Sequence, residues 1–325
     1  MTGRQKKILS FFIKAAIVVI AFWFIYRKFV ANENLHNFKT LLKDIPHSEI
    51  MLVVGTVLAM MLVNWFLEAA KWKRLIRDVE KISFYRAIES VFCGLTLAVF
   101  TPNRLGEYGG RVFFLSPKRR IVGVVVMAVG NIGQMVLTNF FGAIAIYAFA
   151  YRFLNFNAWI IYPLGLVIVA YCIFFLVFFF NIKWLNRLLL SIKFMRKYER
   201  FYSILARYSK QELFKILMFC LARYVVFTSQ YLVLFLWLIP GLSPVDIVMM
   251  ICIMFFIQSA LPSLDLFEVG VRSLTASYFF SFVTHQDVAV IACTATIWFV
   301  NIIIPAILGT YFVFKLNFFG NPKTH

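Results

Sequence analysis

The sequence is poor in charge. Asp, Glu, Lys and Arg make up 14% of its 325 residues, against about 25% in a soluble domain. It also lacks any hydrophilic block large enough to form a second, soluble domain. With 62% hydrophobic residues and a mean hydropathy of +0.84, the chain takes the bilayer as its solvent. Metal-ligand patterns are missing too. The cysteines Cys93, Cys172, Cys220, Cys252 and Cys293 each lie in an apolar run, and no two have metal or redox spacing. They read as small packing residues. His36, His47, His285 and His325 fall in predicted loops or at the terminus, with no partner at helical spacing. Neither a metal nor a cofactor is expected. There is no nucleotide-binding loop and no Ser-His-Asp order, so the sequence does not read as an enzyme.

Basic charge, by contrast, is plentiful. The net charge is +19. On a soluble protein this would suggest nucleic acid. Here the basic residues sit in short loops between apolar runs, where they mark cytoplasmic faces and meet anionic lipid heads. The start, MTGRQKKILSFF, is like a signal n-region, but the long apolar run after it has no small-residue cleavage site. It reads as an uncleaved first crossing.

Six apolar runs are long enough to cross a hydrocarbon core about 30 Å thick: 8–30, 49–70, 121–149, 158–181, 214–239 and 287–314. Two others, 84–100 and 245–261, stop at a proline and are followed by short apolar pieces at 112–115 and 274–283. Loop charge places them. Segment 71–86 carries six basic residues and 118–120 is Lys-Arg-Arg, so both flanks of the first odd run are cytoplasmic. Residues 84–117 are then a re-entrant hairpin from the cytoplasmic side. The flanks of the second, 240–246 and 284–287, have no lysine or arginine. Residues 244–284 are then a re-entrant hairpin from outside. Cytoplasmic segments so assigned hold 23 Lys and Arg, and external ones five. Eight plain crossings also leave both termini inside, but put Lys118, Arg119 and Arg120 outside. The expectation is an all-α, multi-pass protein of the bacterial inner membrane with both termini cytoplasmic and eight membrane-embedded segments. Segment 183–215 mixes nine basic residues with Trp184, Leu185, Leu188, Leu189, Phe194, Phe201 and Tyr202. It is expected to be an amphipathic helix on the anionic inner leaflet, with a solvated linker as the alternative.

The hairpins share a signature. TPNRLGEYGGR (101–111) and LPSLDLFEVGVR (261–272) each hold Pro and then Glu-x-Gly-x-Arg. Pro102, Glu107, Gly109 and Arg111 correspond to Pro262, Glu268, Gly270 and Arg272. Each motif is third in a series of crossing, crossing, hairpin, crossing, so the single membrane domain, 1–325, divides into halves 1–155 and 156–325. Three full crossings per half make the second half an inverted repeat, a habit of transporters. In the closing helices, Gln134, Thr138 and Gly142 match Asn301, Pro305 and Gly309 in spacing. These stripes fit either tight packing or cavity lining.

The hairpin tips carry Arg104, Glu107, Arg111, Asp265, Glu268 and Arg272. Six unpaired charges at the bilayer centre would cost on the order of 15–20 kcal/mol. They must pair or face water. Turn backbone at Pro102, Gly106, Gly109, Gly110, Pro262 and Gly270 likewise survives at depth only inside protein or beside a wet cavity. Such a cavity suits a substrate with an anionic phosphate, which arginine forks match. The alternative is plain i,i+4 ion pairs, Glu107 with Arg111 and Glu268 with Arg272. Arg223 either snorkels or lines the cavity. Glu68 and Lys14 read as interfacial.

At TPNRLGEYGGR, at the Pro and Glu of 261–268, and at Trp298, Asn301, Pro305 and Gly309, the sequence resembles the membrane domain of the lysylphosphatidylglycerol synthase/flippase family, which includes the multiple peptide resistance factors. The resemblance covers nearly the whole chain. It implies an inner-membrane protein that flips or handles aminoacylated phospholipids or related lipid carriers, acting on a phospholipid head group. Long members append a soluble aminoacyl-transferase domain. The chain ends at His325 without one, so synthesis of lysyl-lipid is not expected. Asp265, in SLDLFE, departs from the glycine-rich turn of many relatives and points to a different head-group preference. Two rival readings remain: a membrane-embedded enzyme on a lipid-linked substrate, and a non-transporting partner of a separate synthase, docked through 183–215; the partners expected besides lipid are a second copy, as a homodimer, or that synthase.

Overall fold

The computed structural model describes residues 46–99, 101, 104–260 and 265–314, without the side chains of 195 and 265–271. The predicted crossing at 8–30, Lys14, Pro102 and Pro262 lie outside the described residues, as do the side chains of Asp265 and Glu268. The protein is all-helical, with no strand among the described residues. In chain order the helices are α1 His47–Ile76, α2 Phe84–Ala98, α3 Leu105–Val112, α4 Arg120–Phe153, α5 Ala158–Phe180, α6 Lys183–Ser191, α7 Lys210–Leu238, α8 Pro244–Ala260, α9 Asp265–Phe280, α10 Asp287–Trp298 and α11 Ile304–Val313.

Among the described residues, five stretches are long and apolar enough to cross a membrane: His47–Ile76, Pro117–Phe153, Ala158–Phe180, Lys210–Leu238 and Asp287–Val313. They match five of the six predicted crossings. α5 is apolar all round and buries only Ile161, Cys172 and Phe179, leaving Trp159 and Leu166 on the outside. A helix apolar on every face needs an apolar surround, here lipid. The start signals are local. The Ser83 hydroxyl caps α2 by accepting from the N–H of Arg86, and Ser209 caps α7 by accepting from that of Glu212.

α2 and α3 form a tight hairpin. Its two ends are stapled together: Arg86 donates to the carbonyl of Phe114 at 2.7 Å, and the N–H of Ser116 donates to Glu80 at 3.1 Å. Arg119 lies 3.7 Å from Glu80. The basic 118–120 stretch thus shares one end of the bundle with the basic loop after α1. α8 and α9 form the second hairpin, and its ends lie at the opposite end of α4. Asp246 pairs with Arg152, while Phe282 packs its ring on Phe149 and Phe153.

Two expectations need correction. Gly106, Gly109 and Gly270 are not turn residues; they lie inside α3 and α9. α2 ends at Ala98 and α3 begins at Leu105, with Arg104 in the left-handed conformation (φ 55°). That costs a non-glycine residue of order 1 kcal/mol. The first-hairpin glycines act by packing, as small residues do between membrane helices. A Cβ on Gly110 would sit 2.4 Å from the Cα of Gly94, and one on Gly106 would sit 2.1 Å from the carbonyl oxygen of Leu97. Segment 183–215 is also not one helix. α6 is followed by short turns at Met195–Tyr198, Glu199–Tyr202 and Ser203–Arg207 before α7 begins. Tyr202, Ile204 and Leu205 turn inward to the core, which a continuous surface helix could not do while keeping Trp184 and Leu188 outside. All five cysteines are buried and unbridged, in line with a packing role.

Candidate functional site

The site begins on α1, where Asn64 and Glu68 stand four residues apart and share a face. Both are buried in a helix that is otherwise apolar along this stretch. Glu68 is 2% exposed. It was expected at an interface; instead it is the centre of an ion network. Lys71 lies 2.7 Å from it, Arg111 donates to it at 2.6 Å, and Arg223 donates to its second oxygen. A carboxylate has about four lone-pair sites, enough for three cations on one buried group. Removing any one of these groups would strand its neighbours in a low-dielectric interior.

α3 carries the network onward. Arg111 bridges Glu68 and Glu107, and Arg104 donates to Glu107 at 3.0 Å. The predicted i,i+4 pair of Glu107 with Arg111 is present, but as one link in a larger chain. α7 brings Arg223, which reaches Asn64 at 3.0 Å and stacks over Trp65. It points inward, so snorkelling does not describe it. From the second hairpin, Arg272 is buried, donates to the Tyr231 hydroxyl at 3.1 Å and lies over the Phe227 ring.

Two adjoining cavities of about 250 and 360 Å³ lie beside this network. Trp65, Arg104, Gln134, Thr138, Arg223 and Ser259 line both. Arg272 and Asn301 line the first; Glu68, Lys71 and Glu107 line the second. Arg104 and Arg272, from the two hairpins, therefore face one space. Arg223, Thr138 and Asn301 stand near the midpoints of their long helices, so the space is level with the middle of the bundle.

The stripes on the closing helices divide their labour. Gln134, Thr138 and Asn301 line the cavity, while the small residues pack. A Cβ on Gly142 would meet the Phe256 side chain of α8 at 2.3 Å, and one on Gly309 would meet the Phe92 carbonyl oxygen of α2 at 2.0 Å. Asn301 sits in a wide π-helical turn, Phe299–Ile303, between α10 and α11. Pro305 has no N–H to donate to the carbonyl four residues back, which is that of Asn301. A π turn at a functional site is a common device.

Of the residues singled out in the sequence, Arg104, Glu107, Arg111, Arg223 and Arg272 lie on or beside this one polar region. Sequence reasoning missed Asn64, Trp65, Glu68 and Lys71. The signal was present in the polar stripe at 64, 68 and 71 of an apolar run. Glu68 and Glu107 are both engaged by cations. Against known proteins, no family model matches the chain, no curated protein matches it, and no solved structure matches it.

Proposed function

We propose that the protein is an integral membrane lipid transporter, a flippase for a phospholipid or aminoacyl-phospholipid-like head group, in the bacterial inner membrane with both termini cytoplasmic. The observation that carries this reading is the mid-bundle cavity, lined by arginines from both hairpins and from α7. Guanidinium forks match phosphate geometry. A water-accessible polar cavity among lipid-facing helices is a route for a head group whose tails stay in lipid.

The same proposal includes an inverted repeat, and the placement of the hairpins supports it. The mouths of the two hairpins lie at opposite ends of the bundle, as re-entry from opposite leaflets requires. Gly142 of α4 receives a residue of α8, and Gly309 of α11 receives one of α2. Each half's closing helix thus seats the other half's hairpin. The proposed arrangement takes 8–30, outside the described residues, as a further crossing and so counts eight embedded segments. Discontinuous helices meeting near the midplane are how many transporters build substrate sites.

In liposomes, purified protein should speed exchange of labelled phospholipid between leaflets. Glu107→Gln and Arg272→Ala should abolish the gain. Wild-type and substituted protein giving the same background exchange would remove the transport reading. A new lipid species in expressing cells would favour the enzyme reading instead.

A further inference from the structure

Three observations bear on which head group the cavity takes, given the transport reading above. The first is charge. Around the joined cavities, Lys71, Arg104, Arg111, Arg223 and Arg272 face two described carboxylates, Glu68 and Glu107. Adding Asp265 and Glu268 to the count still leaves one cation in excess. A head group with net positive charge would enter against this field; an anionic one is drawn in.

The second observation is an acceptor without a donor. Asn301 is 3% exposed and lines the cavity. Its amide nitrogen donates to the Ile297 carbonyl at 3.1 Å, which fixes the amide's orientation. Its Oδ1 is buried with no hydrogen-bond partner among the described residues, and so is Oε1 of Gln134, on the matching stripe of α4. A buried acceptor left unpaired is costly, so such atoms favour a ligand that brings a donor. The third is a donor without an acceptor among the described residues: the Trp65 indole N–H, buried on the same cavity wall beneath Arg223.

Together the cavity offers cations and an indole N–H to an anion, and amide oxygens to a hydroxyl. The two volumes, 250 and 360 Å³, bring the space into the range of small-molecule sites, about 300–1,000 Å³. We infer that the site takes a net-anionic phosphodiester head group bearing hydroxyls, of the glycerol or sugar type, and discriminates against cationic aminoacylated head groups.

The test is lipid retention by native mass spectrometry. Purified protein is offered equal amounts of phosphatidylglycerol, phosphatidylmethanol, phosphatidylcholine and lysyl-phosphatidylglycerol. The first two carry the same charge and differ in hydroxyls. Phosphatidylglycerol should be retained about tenfold over each of the others, the worth of one buried hydrogen bond. Asn301→Leu should lower phosphatidylglycerol to the level of phosphatidylmethanol and leave the latter unchanged. Asn301→Asp, nearly identical in shape, guards against misfolding and should raise lysyl-phosphatidylglycerol relative to phosphatidylglycerol. Equal retention of all four lipids would overturn the inference, as would preference for the lysyl lipid. A parallel loss of both anionic lipids in Asn301→Leu would mean a water-filled polar pocket only. Leaflet exchange with the same lipids separates the two claims. Selective retention without exchange sinks transport alone; exchange without selectivity sinks the head-group assignment alone.

Discussion

The two hairpins are held by different forces. The first is gripped at backbone distance and by charge. Gly94 and Gly110 let α2 and α3 touch, and Arg111 ties α3 to Glu68 of α1. The second is held by rings. Phe280 stacks on Phe235 of α7 at 4.3 Å, Phe279 and Phe282 pack edge-on against Phe149 of α4, and Arg272 lies over Phe227. Hydrogen-bonded ion pairs and close backbone contacts demand narrow distances and angles. Aromatic contacts tolerate sliding, because offset and edge-on arrangements are close in energy. The first hairpin is therefore the stiffer element, and the second is the one suited to move against it.

The largest effect should come from breaking the stiff side at its centre. Glu68→Ala leaves Lys71, Arg111 and Arg223 short of their shared anion. Loss of one partner in a buried ionic cluster costs about 3–5 kcal/mol. The variant should unfold at markedly lower temperature in detergent, followed by circular dichroism. A melting curve equal to wild type would show that the network is solvated and that Glu68 is not its keystone.

A paired glycine test comes next. Gly110→Ala forces a Cβ to 2.4 Å from the Gly94 Cα and should destabilise by about 1–3 kcal/mol, the usual toll of overpacking. Gly109→Ala meets only Phe113 at 3.7 Å and should be neutral, or stabilising by up to about 1 kcal/mol through helix propensity. The two substitutions are neighbours of the same chemistry. Equal melting shifts for both would mean that α2 and α3 are not in backbone contact.

On the second hairpin, Tyr231→Phe removes the hydroxyl that accepts from Arg272 and keeps the ring. A hydrogen bond to a charged group contributes about 1.5–3 kcal/mol. The melting shift should fall in or below that range, and leaflet exchange should drop because Arg272 loses its fixed aim. Unchanged exchange with a lowered melting point would assign Tyr231 to stability alone.

Much of this was readable beforehand, for a physical reason. Crossings announce themselves because backbone in lipid must be helical, and the length of an apolar run then fixes the element. Loop charge likewise put Arg119 on the same end as the loop after α1, where Glu80 meets it. The hairpin arginines were legible because a charge in an apolar setting is costly and therefore meaningful. Glu68 was misread for the opposite reason. It lies close to Lys71, Lys73 and Arg74 in sequence, so it blends with the basic end of its helix, and nothing local reveals that Arg111 and Arg223 converge on it from 43 and 155 residues away. Gly109 and Gly110 were also indistinguishable in sequence, since only the position of α2 separates a packing glycine from a spare one. Segment 183–215 has an amphipathic composition, but its inward-turning Tyr202 and Leu205 depend on a core built by other helices.

The smallest effect belongs to the mouth of the second hairpin, and its size tests whether that end opens freely. Arg152 pairs with Asp246, but the two are unequal: the arginine side chain is half exposed and the aspartate is largely buried. Removing the arginine would be costly if it were the aspartate's sole support. Asp246, however, lies in the first turn of α8, where free N–H groups and the positive end of the helix dipole stabilise a carboxylate. Arg152→Gln should therefore lower stability by less than about 1 kcal/mol, and by less still in high salt, as an exposed partner implies. Asp246→Asn should cost about the same, since the dipole then loses its anion. A double-mutant cycle of melting temperatures at low and high salt measures the coupling directly. Near-zero coupling fits a mouth that parts easily while the Glu68 network holds the other hairpin fixed. A strong, salt-insensitive coupling would make this pair a lock, and the contrast between a stiff first hairpin and a yielding second one would fail.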